Sequence, residues 1–457
     1  MVALSDRKIE IVRTLVEAAP DRIVGGLRMA LAESAGDGVL ASVRQLVETE
    51  ALDRMLRNAV FQPLAPLCVG DGSDGQKLTF PAQALSFVWR GLKASAPAEM
   101  AQAVKASAAV AAAQANEQRL PDPSAAYNLL LTAAAKGLRA GGVREFKVAA
   151  DLCGRARPGG AETFAACLDI APIVRRTLHR LPDWIAQTGA ETSAPARLAY
   201  KDAVAVAEDA GPGFFEMLAA QLNPPWMVLR IISAIMEKPT ERYLADSELG
   251  GFPERVMAEI DEALKAIGKL DLDGGHETGR EAGRLVELIT QQTFELEVCI
   301  ELTREHGWGQ RIVGQKKALA GLVEGCLRDA EKLIAAALPS QSSGFGRPRK
   351  SGPKLDESPD AKAVGRAITI LTFTHEIRLC ATYGGFSAMH AKVIEKLGGQ
   401  IDHYVEDVLD VLRTGDAQPA VAAAFLAIAA DMLAMVRDEK AADLVRRRAA
   451  SGCAPVE

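Results

Sequence analysis

Residues 311–338 read RIVGQKKALAGLVEGCLRDAEKLIAAAL. Apolar side chains fall at Ile312, Leu319, Leu322, Val323, Cys326, Ala330, Leu333, Ile334 and Ala337. Their spacing of three and four keeps them on one face of an α-helix for about seven turns. The same period recurs through most of the chain, and no stretch alternates apolar and polar residues as a strand does. The sequence therefore predicts an all-α protein.

Breaks in the pattern divide the chain. Up to about residue 245 the helices are short and are punctuated at Pro20, at Gly36–Gly38, in the loop 62–80, at Pro121–Ser124, Gly159-Gly160, Gly211-Pro212 and Pro224-Pro225. This half, 1–245, is read as a short-helix region, with a degenerate helical solenoid as one arrangement. From 246 to 457 the predicted helices lengthen, over 252–268, 277–306, 309–338, 360–382, 386–413 and 417–448. They are read as a bundle of long antiparallel helices. The short joint at His306–Gly309 predicts that the second and third form a hairpin. Residues 339–360, rich in Ser, Gly and Pro, predict a flexible linker.

With 457 residues, the chain exceeds one ordinary core. Hydrophobic residues are 49% and charged residues 25%, an ordinary globular balance, while aromatics are only 5%. Residues 1–120 carry 13 basic and 13 acidic groups, 121–340 carry 25 and 31, and 341–457 carry 15 and 15. No large region is basic, so the charge pattern does not point to a domain that coats nucleic acid. The seven cysteines (Cys68, Cys153, Cys167, Cys299, Cys326, Cys380, Cys453) form no C-x-x-C pair, and several lie on apolar stripes. They read as reduced, buried thiols in a cytoplasmic protein. No export signal is evident at the N-terminus. Pro419–Val436 has a single charge, Asp431, but its alanines and that aspartate disfavour membrane insertion and favour a buried bundle helix.

Familiar catalytic patterns do not occur. There is no P-loop, no G-x-S-x-G and no strand to carry a dinucleotide fingerprint. His375-Glu376 lacks the second histidine of a zinc protease. Asp271–Glu277 has carboxylates at calcium-loop spacing, but Gly275 and His276 occupy the positions of a ligand and the turn glycine. No catalytic residue and no cofactor is indicated.

Two acidic ridges stand out. Glu297, Glu301 and Glu305 recur every four residues and end at His306; Asp402, Glu406 and Asp410 do the same beside His403 and Asp407. Like charges at this spacing repel. Either cations such as Arg304, Arg311, Lys316, Lys317 and Lys396 compensate them, or a metal is held between two helices by Glu297, Glu301, Glu305, His306, Asp402, His403 and Glu406. In the linker, Gly346-Arg347-Pro348-Arg349-Lys350 resembles the core of an AT-hook, with Phe345 where a basic residue precedes the glycine. That resemblance implies minor-groove contact through Arg347, Arg349 and Lys350; the alternative is a plain tether. The last predicted helix carries Val421, Phe425, Ile428, Met432 and Met435 at spacings of 4, 3, 4 and 3. This heptad-like seam is either core or a self-association face. Tyr383-Gly-Gly-Phe386 reads as a turn with inward aromatics, or as a pocket wall.

The leading functional expectation is a non-enzymatic helical interaction or scaffold protein whose partner is another protein or a second copy of itself. The alternatives are an enzyme or a small-ligand or metal binder with its site in the long-helix bundle, using the ridges, His306, His375 and His403, or a DNA-associated protein.

Overall fold

A computed structural model describes residues 6–32, 39–72, 77–186, 190–207, 210–343, 350–415 and 417–452. The fold is all-α, as the periodicity predicts. Contacts divide the chain into two units, Met1–Lys238 and Pro239–Glu457.

The first unit holds α1 (Asp6–Ala18), α2 (Asp21–Ala32), α3 (Val39–Phe61), α4 (Ala82–Ser95), α5 (Pro97–Ala115), α6 (Ser124–Ala140), α7 (Arg144–Ala156), α8 (Gly160–Thr177), α9 (Leu181–Ala186), α10 (Ala190–Val206), α11 (Ala210–Ala220) and α12 (Val228–Met236). Proline sets several starts: Pro97 occupies the first turn of α5, where its missing N–H costs nothing. Asp122, just before α6, accepts from the Ser124 amide at 2.9 Å. α8 is the hub, packed by α6, α7, α10 and α11. Phe146 of α7 is fully buried, and its ring lies against the backbone of α4 and α6. A Cβ on Gly137 would stand 2.3 Å from that ring, so only glycine admits it there.

α1, α2 and α3 close over a small core of Val16, Val24, Val47 and Ala51. Arg54 finishes it. Its guanidinium donates to the carbonyls of Val16, Glu17 and Ala19 at 3.0, 3.0 and 2.7 Å, at and just past the end of α1, where helix carbonyls run short of intrahelical donors. Asp21 and Glu50 neutralise it, each at 2.7 Å. Arg175 does the same for α3, donating to the carbonyls of Ala59 (2.8 Å) and Val60. Burial lowers the pKa of Arg175 to about 10.

The second unit holds α13 (Glu241–Ala245), α14 (Gly251–Ile267), α15 (Gly275–Cys299), α16 (Gly307–Ala337), strands β1 (Ser340–Ser343) and β2 (Lys350–Pro353), α17 (Ala361–Glu376), α18 (Ser387–Thr414), α19 (Pro419–Val436) and α20 (Glu439–Gly452). The deciding stretch lies in α16, which buries Ile312, Leu319, Val323, Ala330, Ile334 and Ala337. Leu327 is buried too, whereas Leu322, Cys326 and Leu333 sit at the flank.

Three local expectations are corrected. First, α15 ends at Cys299, not 306. The Glu301 amide donates to the Pro239 carbonyl and the Glu301 carbonyl accepts from the Glu241 amide, both at 3.0 Å. This pairing draws the backbone out of the helix. Second, α15 and α16 are not a closely packed hairpin; α17 packs against both, and they touch each other only slightly. Gly279 and Gly283 admit α17, since a Cβ on Gly279 would lie 2.3 Å from the Thr369 carbonyl oxygen. Third, the segment expected to be a flexible linker carries an antiparallel pair, with Ser340 opposite Pro353 and Ser343 opposite Lys350. Backbone pairing needs no apolar side chains, and buried Pro353 and Leu355 anchor its exit.

Candidate interaction surface

The two acidic ridges fare differently. The first is broken, because Glu301 and Glu305 lie beyond the end of α15. Glu297 remains on the helix and pairs with Lys316 at 3.0 Å. His306, exposed, occupies the cap position of α16. The second ridge is intact on α18, and arginines from α18 itself, from the joint after α19 and from α20 match it. Arg437 pairs with Asp402, Arg448 with Glu406, and Arg413 with Asp410 at 2.6 Å. The hydrogen bonds from Arg448 hold the Glu406 carboxyl below its usual range. His403 is 78% exposed and stands 3.6 Å from Asp407. Among the described residues no three His, Cys, Asp or Glu side chains gather as a metal would require.

Three other histidines serve local structure. His375 Nδ1 lies 2.9 Å from the Met435 carbonyl, buried His390 Nε2 2.8 Å from the Thr374 carbonyl, and His276 Nδ1 2.8 Å from the Thr372 hydroxyl. The AT-hook-like residues 346–349, with Arg347 and Arg349, fall outside the described residues, and the backbone of Lys350 opens β2.

Val421, Phe425, Ile428, Met432 and Met435 all lie on α19, but not as a free face. Phe425 and Met432 are fully buried, and the other three are half-buried. α19 is packed by α17, α18 and α20. The seam thus packs into the core of this unit, the first of the two readings. Among the described residues α19 is also the one helix long and apolar enough to cross a bilayer.

Sequence reasoning missed a buried polar layer between α14, α15 and α16. Gln292 donates to Glu259 at 2.9 Å; Gln315 donates to Asp261 at 2.7 Å and to the Met257 carbonyl at 2.8 Å. The Cys299 thiol donates to buried Glu295 at 3.1 Å. Such groups fix which helix faces which, since any other register strands them.

The most unusual surface of this unit lies where α15 meets the turn 377–386. A hollow of about 330 Å³ opens there, walled by Phe294, Leu379 and Tyr383, with Thr290 and Cys380 at its base and Glu287 and Gln291 at its rim. Leu379 is 86% exposed, Tyr383 67% and Phe294 45%. The Phe294 and Tyr383 rings meet edge to face, centroids 5.8 Å apart. Val298, one turn beyond Phe294, is also exposed. The turn expected to send both aromatics inward splits them. Phe386 is buried against Gly384, where a Cβ would meet its ring at 2.2 Å, and Gly385 takes φ +78°; Tyr383 is left outside. Burial pushes the Cys380 thiol up to about 11, which keeps it neutral in the floor of the hollow. None of the ridge carboxylates, nor His306, His375 or His403, lines this hollow.

No family model matches the chain, and neither the curated proteins nor the solved structures yield a similar one.

Proposed function

We propose that this chain is a non-catalytic interaction protein that binds another protein chain through the surface formed by α15 and the turn 377–386. The observation that carries the reading is the exposure of Leu379 and Tyr383 around a hollow that already has apolar walls and one acidic rim residue. Large exposed side chains grouped in this way mark docking surfaces, whereas single ones are ordinary. His375 and His390 are engaged by backbone carbonyls, and Asp402 and Glu406 of α18 by arginines, so these groups are already committed locally. The reading carries a reducing, cytoplasmic compartment, supported by the six described cysteines, all unbridged.

The test is quantitative affinity capture from the native cell with three baits: wild type, the double variant Leu379→Asp/Tyr383→Ser, and Leu444→Asp, which alters an exposed leucine of α20. Protein chains retained by wild type and Leu444→Asp but lost from the double variant are expected. Equal recovery by all three baits rejects the surface.

A further inference from the structure

We infer that the first unit carries a separate binding site, a hollow for a small organic anion: one phosphate or carboxylate group joined to an apolar body. The site is independent of the proposed docking surface, which belongs to the second unit.

The hollow holds about 340 Å³ between the end of α8, the turn 178–180, α9 and α10. That size suits one small molecule. Its charge is one-sided: Arg176, His179 and Arg180 line it against a single acid, Asp202. Arg176, on α8, donates to Asp202, on α10. That carboxylate is therefore already answered and does not offset the other two groups, and the pair fixes the Arg176 guanidinium at the wall. By contrast, the hollow between α1 and α3 sets Arg13 against both Glu17 and Glu50.

Arg180 Nε donates to His179 Nε2 at 3.4 Å, which sets the two side chains next to each other. The outer N–H fork of Arg180 meets no protein acceptor among the described residues. Such a planar fork matches two oxygens of a phosphate or carboxylate at once, a fit that neither a cation nor a neutral ligand reproduces. The opposite side of the hollow is apolar, with buried Trp184 and exposed Leu198 beside Pro195. Low-dielectric walls next to charges of one sign concentrate the field between them. They also give a bare inorganic ion nothing to cover. The lining thus fits an anion with an apolar part, the arginines holding its oxygens and the indole and leucine its body.

The experiment is isothermal titration calorimetry of the full chain with phenyl phosphate and with benzoate, beside inorganic phosphate, neutral benzamide and the phenyltrimethylammonium cation. At least one of the first two is expected to bind once per chain with a Kd of about 0.1–1 mM, the range open to so small a molecule. Which of them binds identifies the anionic group. The three comparison compounds are expected to bind about tenfold more weakly or not at all. Arg180→Gln, at an exposed position, is expected to weaken binding by about tenfold. Leu198→Asp, which puts an acid into the apolar wall, is expected to abolish it, and Arg155→Gln, an exposed arginine of α7, to leave it unchanged. No saturable binding of either anion, binding no tighter than that of benzamide or inorganic phosphate, or an affinity indifferent to Arg180→Gln overturns the inference. None of these changes touches Leu379 or Tyr383, so the outcome is read apart from the capture experiment.

Discussion

The two units solve the same problem, burying helices that carry few aromatics, in opposite ways. The first brings a ring to the backbone: Phe146 fills the gap that glycines leave on α4 and α6, and buried Arg54 and half-buried Arg175 close the ends of α1 and α3. The second brings backbone to backbone, with α17 seated on Gly279, and leaves its arginines outside, clipping α18 to its neighbours. The contrast teaches where a charged side chain matters. A guanidinium that answers several buried carbonyls is part of the core, whereas one that answers a solvated carboxylate is a surface fastening.

Five changes sharpen or break this comparison. Phe146→Ala removes the whole ring and should destabilise the first unit by about 3–5 kcal/mol, read as an earlier calorimetric transition with hydrogen exchange lost in α4, α6 and α7 and unchanged in α15 to α18. Gly279→Ala inserts a methyl against the α17 backbone and should cost about 1–3 kcal/mol, with exchange rising in α15 and α17 only. Arg54→Ala removes the side-chain donor from the carbonyls at the end of α1, about 1–3 kcal/mol, and should free α1 and α2 to exchange. If this change proves harmless, the distinction between core and fastening arginines fails.

The fourth change is acidification. Burial pushes the Asp21 carboxyl up, but the Arg57 and Arg54 guanidiniums outweigh it and hold its pKa below the usual aspartate range. Because the folded-state value is the lower one, its contribution is full above the unfolded value of about 3.9 and is lost as pH falls through the folded value. Exchange protection in α1 and α2 should therefore drop in acid, and Asp21→Asn should flatten that dependence. The smallest effect is expected from Arg448→Ala, about 0–1 kcal/mol because the pair with Glu406 is solvated, seen as faster exchange confined to α20 and mimicked in wild type by high salt.

The helices themselves were legible in the sequence, because α16 repeats its apolar residues at three and four over its whole length. The end of α15 was not. Glu297, Glu301 and Glu305 continue a helical rhythm, and what overrides it is a backbone segment some sixty residues earlier, Pro239–Glu241. Local pattern carries no trace of such a partner. The linker was misjudged for a related reason: Ser340–Ser343 and Lys350–Pro353 pair through backbone groups, while composition reports only side chains. The interaction surface was half legible. Tyr383 drew notice beside its glycines, but Phe294 and Val298 fall on a rich apolar helix and read as core. Only the meeting of two segments far apart in sequence turns them into a face.

Glu241 carries a consequence for anyone dissecting this chain. Its carboxylate accepts from the amides of Thr303 at 3.2 Å, Gly309 at 3.3 Å and Trp308, so it is the acidic cap on the start of α16 although it sits on α13. A recombinant fragment opened at residue 246, where the sequence pattern suggests cutting, would discard this cap together with the extended pairing at Pro239–Glu241. One opened at Pro239 would keep both, and α16 would begin with its first amides already answered.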